Sequence, residues 1–134
     1  MFQHEVFIRV RYAETDQMGV VYYGNYATYF EVARVESMRH MGFSYNELEK
    51  TGVMMPVLEL KTKYIRPAKY DDLLRIVLKI PQIPETRIRF EYEVYNEANT
   101  LLNVAETTLV FINSATGKIC PPPAHLIQLL QPYF

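Results

Sequence analysis

The sequence has a single cysteine, Cys120, and a formal net charge of only −1 over 134 residues. One cysteine cannot form a disulfide within the chain, which suits a reducing compartment. Proteins that bind nucleic acid carry a clustered basic excess, so a chain this close to neutral is not expected to bind it. Cys120 precedes three prolines and has no base beside it in the sequence, so we interpret it as a packed or idle thiol.

Long apolar runs and metal-ligand patterns are also missing. No run approaches the roughly 18 apolar residues that cross a bilayer, and the N-terminus lacks a basic stretch followed by an apolar one. Cytoplasm is therefore the expected location. The three histidines, His4, His40 and His125, show no metal-ligand spacing, so no metal is expected. The sequence contains no linker or repeat, and its length predicts one domain, 1–134.

Hydrophobic periodicity predicts one long helix in the first third of the chain. Val6–Tyr12 alternates and predicts a strand, and Ala13–Gly19 then predicts a loop. From Asn25, the predicted N-cap, apolar residues recur at steps of three and four as far as Met41, and Gly42 is a natural stop. The predicted buried stripe consists of Tyr26, Tyr29, Phe30, Ala33, Ser37, Met38 and Met41.

The rest of the chain predicts short elements joined by turns. Ser44–Lys50 predicts a short helix with Ser44 as its cap. Four strands are predicted around Met55–Ile65, 74–80, 88–94 and Leu101–Ile112, with a last short helix at Pro123–Leu130. This order predicts an α+β fold, a mostly antiparallel sheet of about five strands with one face on the long helix. The sheet would leave an edge strand, which favours self-association.

The acidic loop before the long helix holds the candidate reactive group. Asp16 lies in this glycine-containing loop, nine residues before the predicted cap at Asn25. Backbone N–H groups and the positive end of the helix dipole stabilise an oxyanion at such a position. The pairing therefore predicts a nucleophile or general base beside a group that polarises an electrophile. The alternative is that Glu14 and Asp16 are only turn and capping residues.

The same stretch resembles a known family. YAETDQMGVVYYGNY (Tyr12–Tyr26), followed by FEVAR (Phe30–Arg34), is similar to the signature of hotdog-fold acyl-CoA thioesterases. The resemblance is narrower to the 4-hydroxybenzoyl-CoA thioesterase group and its Tol-Pal-associated branch. Tyr64–Asp72 and the region 99–106 resemble two further stretches of the family. The resemblance implies a sheet of about five strands wrapped around one long central helix, in homodimers or homotetramers with active sites at the dimer interface.

The resemblance also implies the roles of two positions. Asp16 matches the catalytic aspartate of the family, and the backbone N–H of Tyr23 matches the group that polarises the thioester carbonyl. Many members of the Tol-Pal-associated branch carry histidine at the position of Tyr23, whereas the 4-hydroxybenzoyl-CoA enzymes carry tyrosine. A backbone N–H works whatever the side chain, so this role carries over and a histidine-assisted mechanism does not.

The expected substrate is an acyl-CoA thioester, with coenzyme A as part of the substrate and no separate cofactor. The residues expected to contact the substrate are Gly19, Val21, Tyr22, Tyr26, Met55, Val57, Arg66 and Lys69. Several have simpler alternatives. One alternative is a solvated strand face, instead of a phosphate site, formed by Lys61, Lys63, Arg66 and Lys69. In another, the methionines and tyrosines are ordinary core residues.

The chemistry of the reaction has alternatives too. Asp16 would attack the carbonyl to form a mixed anhydride or would activate a water, and the sequence leaves both routes open. Two other functions compete with hydrolysis: a non-catalytic module that binds acyl thioesters, and a hydratase or dehydratase. The second needs a histidine in the pocket, and no histidine falls in the loop or at the helix start. The acyl group itself, short aliphatic, long aliphatic or aromatic, stays open, as does acyl carrier protein in place of coenzyme A.

Overall fold

A computed structural model describes all of residues 1–134 and contains seven strands and three α-helices. In chain order these are β1 (Phe2–Arg9), α1 (Asn25–Met41), α2 (Tyr45–Lys50), β2 (Val53–Met54), β3 (Val57–Tyr64), β4 (Leu73–Ile80), β5 (Arg87–Tyr95), β6 (Leu101–Val110), β7 (Ile112–Asn113) and α3 (Ala124–Leu130). Short 3-10 turns lie at Tyr12–Glu14 and Gln131–Tyr133. No helix is both long enough and apolar enough to span a membrane.

The main sheet has five antiparallel strands in the order β1-β4-β5-β6-β3, which confirms the predicted sheet. β3 and β1 are therefore its two edges. The successive pairs β4–β5 and β5–β6 are hairpins, as their short connections predict. A second, two-stranded sheet joins β2 to β7 and was not predicted, because two residues are too few to show an alternating pattern.

Helix α1 packs its apolar stripe on the inner face of the main sheet. All seven residues of the predicted stripe are buried, so that prediction is confirmed. Phe30 stacks on Tyr92 of β5 with ring centroids 4.5 Å apart. Each fully buried aromatic or aliphatic side chain contributes roughly 1.5–3 kcal/mol, so this stripe fixes which face of α1 meets the sheet.

Three details differ from the sequence predictions. The first strand runs from Phe2 to Arg9 rather than from Val6 to Tyr12, because Gln3–Glu5 pair with β4 despite being polar. Asn25 is not the N-cap of α1; Gly24 is the cap, and Asn25 is the first helical residue. The three-residue spacing of Glu31 and Arg34 predicts an ion pair at a surface or interface, but Arg34 is buried and its guanidinium donates to the Tyr92 hydroxyl.

The end of α1 depends on a left-handed residue, as predicted. Gly42 has φ = 106°, its N–H donates to the Arg39 carbonyl, and the N–H of Phe43 donates to the Met38 carbonyl. These bonds satisfy carbonyl groups that have no partner within the helix. This turn leads directly into α2. The predicted cap of α2 is confirmed, because the Ser44 hydroxyl accepts a hydrogen bond from the Glu47 N–H.

Replacing Gly42 with Ala is expected to lower the free energy of unfolding by about 1–2 kcal/mol, because a Cβ makes the left-handed conformation costly. Gly42→Asn is the matched control, since asparagine tolerates this conformation better, and it should cost clearly less than alanine. Urea unfolding monitored by circular dichroism measures both variants. Equal losses for alanine and asparagine would contradict the conformational explanation.

Candidate active site

The loop that carries Asp16 is a small ribbon held by main-chain hydrogen bonds. Thr15 and Val21 form an antiparallel bridge, and the Asp16 N–H donates to the Val20 carbonyl at 2.8 Å. The turn at the ribbon's tip is closed by the Gly19 N–H, which donates to the Asp16 carbonyl. Asp16 Oδ1 accepts from the Met18 N–H at 2.8 Å, and Oδ2 makes no hydrogen bond. One carboxylate oxygen is therefore held in place, while the other has no hydrogen-bond partner within the chain.

Glu14 anchors this ribbon to the start of α1. Its carboxylate accepts from the Arg11 N–H at 2.8 Å, from the Arg11 guanidinium at 2.9 Å and from the Tyr29 hydroxyl at 3.0 Å. Its carbonyl accepts from the Tyr22 N–H and from the Asn25 side chain. The turn and capping interpretation is therefore confirmed for Glu14. Asp16 also makes a turn hydrogen bond, to the Met18 N–H, but it differs from Glu14 in keeping one carboxylate oxygen unpaired.

The backbone at the helix start leaves donors unpaired. The N–H groups of Tyr23 and Gly24 have no hydrogen-bond partner, whereas the Asn25 N–H donates to the Tyr22 carbonyl. A Cβ added to Gly24 would lie 2.8 Å from the Tyr22 ring, so a larger residue at this position would displace that exposed ring from the helix start. Free N–H groups at the positive end of a helix are a ready site for an oxyanion.

A cavity of about 320 Å³ contains both Asp16 and Tyr23. Its lining residues are Asp16, Met18, Val20, Val21, Tyr23, Tyr26, Tyr64, Ile65, Arg66 and Pro67. Most of these residues are apolar, and two, Asp16 and Arg66, carry charges, which is the usual composition of a small-molecule site. Burial raises the pKa of Tyr26, so its hydroxyl stays neutral around pH 7.

The structure gathers some of the predicted site residues and leaves others apart. Those that line the cavity are Asp16, Val21, Tyr23, Tyr26 and Arg66; those that do not are Gly19, Tyr22, Met55, Val57 and Lys69. Gly19 closes the ribbon and Tyr22 packs against Tyr23, with ring centroids 4.6 Å apart. Met55 packs partly buried against the core, Val57 lines a different cavity, and Lys69 pairs with Val20 through the backbone.

Tyr64 is a site residue that sequence reasoning did not identify. It lies at the end of β3, its ring meets Tyr26 at 5.4 Å, and its hydroxyl donates to the Tyr23 carbonyl at 3.3 Å. It therefore joins the end of an edge strand to the helix start. The sequence feature that could have indicated Tyr64 was its position two residues before Arg66, in the stretch Tyr64–Asp72 that resembles the family.

A larger hollow, of about 440 Å³, lies on the outer face of the main sheet. Most of its lining is charged, with lysines such as Lys61 and Lys79 facing glutamates such as Glu93 and Glu106. Lys61 pairs with Glu106 and Lys79 pairs with Glu93. These charges compensate each other, so the smaller cavity beside α1 is the better candidate. No cluster of three or more potential metal ligands occurs in the chain.

Comparison with known proteins agrees with this geometry. A family model described as the thioesterase-like superfamily matches residues 10–130. The acyl-CoA thioester hydrolase YbgC of Escherichia coli is 38% identical over 111 residues, covering 83% of each chain. The putative acyl-CoA thioesterase YneP of Bacillus subtilis is 34% identical over 111 residues, which cover 83% of this chain and 80% of YneP.

A solved structure has the same fold over the whole chain. The DHNA-CoA thioesterase of Staphylococcus aureus superposes with a TM-score of 0.86 and 36% sequence identity, covering 100% of this chain and 85% of that one. The loop, α1 and the five-stranded sheet therefore belong to a fold that known thioesterases share.

Replacing Glu14 with Gln is expected to lower the free energy of unfolding at pH 7 by about 1.5 kcal/mol, because a neutral amide accepts weaker hydrogen bonds. Burial raises the pKa of Glu14, but the hydrogen bonds from Arg11 and Tyr29 outweigh burial and leave the pKa below its ordinary value. The charged Glu14 carboxylate therefore contributes its full amount to the free energy of unfolding above the ordinary glutamate pKa of about 4.3, the value in the unfolded chain. This stabilisation is lost as the pH falls through the lower pKa of Glu14 in the folded state.

Urea unfolding at pH 7 and near pH 3 measures this difference. The gap between wild type and Glu14→Gln should narrow at the lower pH. Glu36→Gln is the control, since Glu36 forms an exposed pair with Arg39 and should cost well under about 1 kcal/mol. A gap of the same size at both pH values would show that the Glu14 charge does not anchor the ribbon.

Proposed function

The chain belongs to the thioesterase-like superfamily, and from this membership and the site we propose that it hydrolyses acyl-CoA thioesters to a free acid and coenzyme A. The observation that carries the proposal is the shared cavity at the start of α1, which is lined by both Asp16 and Tyr23, the residue whose backbone N–H has no partner. Ester-like substrates need both groups, one to attack and one to stabilise the oxyanion.

In the proposed reaction the thioester carbonyl oxygen accepts a hydrogen bond from the Tyr23 N–H. The helix dipole and this N–H stabilise the negative charge that develops on the oxygen. Asp16 either attacks the carbonyl carbon or removes a proton from an attacking water. The carbon–sulfur bond then breaks, and coenzyme A leaves as a thiolate that takes up a proton. If Asp16 attacks, water next hydrolyses the mixed anhydride. No separate cofactor enters this scheme.

The other cavity residues would bind the substrate. Val21 and Tyr26 offer apolar surface beside the carbonyl site, and Arg66 lies at the cavity with a charge suited to a phosphate of coenzyme A. Lys69 follows Arg66 by three residues and is exposed, so it would meet the more distant phosphates. Gly19 and Tyr22 would act by shaping the ribbon and the helix start.

We also propose a homodimer, or a homotetramer built from such dimers, with the active sites at the dimer interface. The edge strand β3 exposes a run of apolar side chains: Val57, Leu58, Leu60 and Tyr64. An uncovered apolar edge strand pairs readily with another strand. Pairing two β3 edges would bring Met55 and Val57 of one subunit towards the site of the other. In that assembly α1 would be the long central helix of a hotdog fold.

Two other functions fit the same fold less well. A hydratase would need a histidine beside the thioester, yet His4 stacks on His40 at 4.1 Å and His125 lies near Glu47, so none lines the cavity. A non-catalytic binding module would keep the cavity without the turnover, and the free Asp16 Oδ2 argues for a reactive role. A thioesterase that acts on acyl-CoA, with an unpaired Cys120, fits the cytoplasm.

Replacing Asp16 with Asn is expected to lower kcat for acyl-CoA hydrolysis on the order of 10³-fold or more, because the variant lacks the nucleophile or base. Asparagine still accepts from the Met18 N–H, so the ribbon should keep its shape. Thiol release from a panel of acyl-CoA substrates measures the rate, and circular dichroism checks the fold. Near-normal turnover by the variant would contradict the proposed role.

Tyr23→Phe is the matched control for the backbone role, and its kcat should stay within a few-fold of wild type because the N–H is unchanged. A loss on the order of 10²-fold, the size seen for a missing oxyanion donor, would instead assign the role to the Tyr23 hydroxyl.

Replacing Leu58 with Lys is expected to weaken dimerisation by about tenfold or more, because a charge would be buried at the paired edge. Phe7→Lys is the control, since Phe7 is an exposed apolar residue on β1, the opposite edge. Analytical ultracentrifugation over a concentration series measures the dissociation constant. If Phe7→Lys weakened the dimer and Leu58→Lys did not, the interface would lie on the β1 edge and the proposed pairing of β3 edges would be contradicted.

A further inference from the structure

A second cavity, of about 260 Å³, lies on the seam between α1 and β3. Phe30, Val57 and Leu60 supply apolar walls, and Arg34 and Thr107 supply polar groups at the side of the sheet. This cavity is distinct from the one that contains Asp16. It has no assigned role in the reaction described above.

Arg34 is a buried cation without a counter-charge. Its relative exposure is 6%, and it forms no ion pair with any aspartate or glutamate of the chain. Nη1 donates to the Tyr92 hydroxyl at 3.1 Å, and Nε has no partner at all. An uncompensated buried charge is costly, and most buried charges are paired, so an unpaired one asks for an explanation.

The neighbours of Arg34 leave further donor capacity. The Tyr92 hydroxyl lies 2.7 Å from Thr107 Oγ1. With the Tyr92 oxygen accepting from Arg34 and its proton given to Thr107, the Thr107 hydroxyl keeps a proton to donate. Burial lowers the pKa of Arg34, but the Tyr92 and Tyr45 hydroxyls outweigh it, and the guanidinium stays charged. The site therefore offers donors and positive charge, which suit an anionic acceptor.

The position of Arg34 relates the two cavities. Arg34 lies nine residues after Asn25 on α1, which places it about 13 Å from the helix start. β3 flanks both cavities, with Tyr64 beside the helix start and Leu60 beside Arg34. An acyl chain bound at the Tyr23 N–H that followed the seam between α1 and β3 would therefore reach the Arg34 guanidinium.

We propose that Arg34 and Thr107 bind a carboxylate at the far end of the substrate's acyl group, so that the preferred substrates are CoA thioesters of dicarboxylic acids. This inference rests on the proposed function. A carboxylate supplies the missing counter-charge, whereas a hydroxyl would supply only a hydrogen-bond acceptor. Glu31 also lines the cavity, but it is exposed and forms no ion pair with Arg34, so water screens its repulsion.

The first test compares acyl-CoA substrates of equal length that end in a methyl, a hydroxyl or a carboxylate, over several lengths. Wild type should prefer the carboxylate over the methyl by about 10- to 100-fold in kcat/KM at the best length. Arg34→Met should remove this preference, and Arg34→Lys should keep part of it. Glu31→Gln should increase it. The proposal would be overturned if wild type hydrolysed the hydroxyl-ended substrate as fast as the carboxylate-ended one, or faster. It would also be overturned if Arg34→Met kept the preference for the carboxylate.

Arg39→Met is the matched control on the same helix. Arg39 is exposed and paired with Glu36, so its loss should leave the preference unchanged. Arg34→Met itself should fold, because replacing an unpaired buried charge with an apolar chain of similar length is commonly neutral or stabilising. Its melting temperature without ligand checks this.

A second readout does not require turnover. Straight-chain dicarboxylic acids, the products of such a reaction, should raise the melting temperature of wild type, and monocarboxylic acids of equal length should raise it less. Arg34→Met should lose the difference. The proposal would be overturned if dicarboxylic and monocarboxylic acids raised the melting temperature of wild type equally. It would also be overturned if Arg34→Met weakened the dimer, because a carboxylate from a second copy of the chain would then be the partner of Arg34. Failure to hydrolyse any thioester would overturn the proposed function alone, since the melting temperatures would still decide whether Arg34 binds a carboxylate.

Discussion

Glu14 connects the loop that carries Asp16 to the first turns of α1 through both its side chain and its backbone. The carboxylate receives hydrogen bonds from Arg11 and Tyr29, and the carbonyl receives them from Tyr22 and Asn25. Its side chain is only 12% exposed, so water competes weakly for these bonds. With both ends tied, the ribbon holds Asp16 and the helix start on the walls of one cavity.

The proposed site therefore has two parts, which different structural elements hold in place. The proposed reactive part is Asp16 with the Tyr23 N–H, and main-chain hydrogen bonds of the ribbon and the helix start set the geometry of this part. The proposed recognition part is the seam between α1 and β3, where side chains decide shape and charge. β3 is an edge strand, so one wall of that seam depends on whatever covers the edge.

The sequence predicts the elements better than it predicts their long-range partners. Alternation and helical spacing identified β4, β5, β6 and α1, because apolar periodicity records which face of each element is buried. The motif around Asp16 predicted a carboxylate near the start of a helix, and Asp16 and Tyr23 do line one cavity, while their roles in a reaction stay predictions. Local patterns could not reveal that Tyr29 donates to Glu14, 15 residues away, that Arg34 donates to Tyr92, 58 residues away, or that Tyr64 donates to Tyr23, 41 residues away.

Arg34 shows why such cases are missed. An arginine among charged residues on a helix predicts a solvated side chain, and burial of a cation is so costly that sequence reasoning excludes it by default. Asn25 shows the opposite error, because a good capping residue was assigned to the cap when its amide was needed to reach Glu14 instead. In both cases a tertiary contact overruled a local preference.

The unpaired N–H of Tyr23 also bears on how such a protein can change over generations. Every residue except proline carries that N–H, so substitutions at this position change the side chain and leave the proposed polarising group in place. The N–H is thereby buffered against most substitutions at position 23, whereas Asp16 and the side chains of the seam have no such protection. Related proteins with this arrangement can therefore change their range of substrates while the proposed hydrolysis uses the same backbone group.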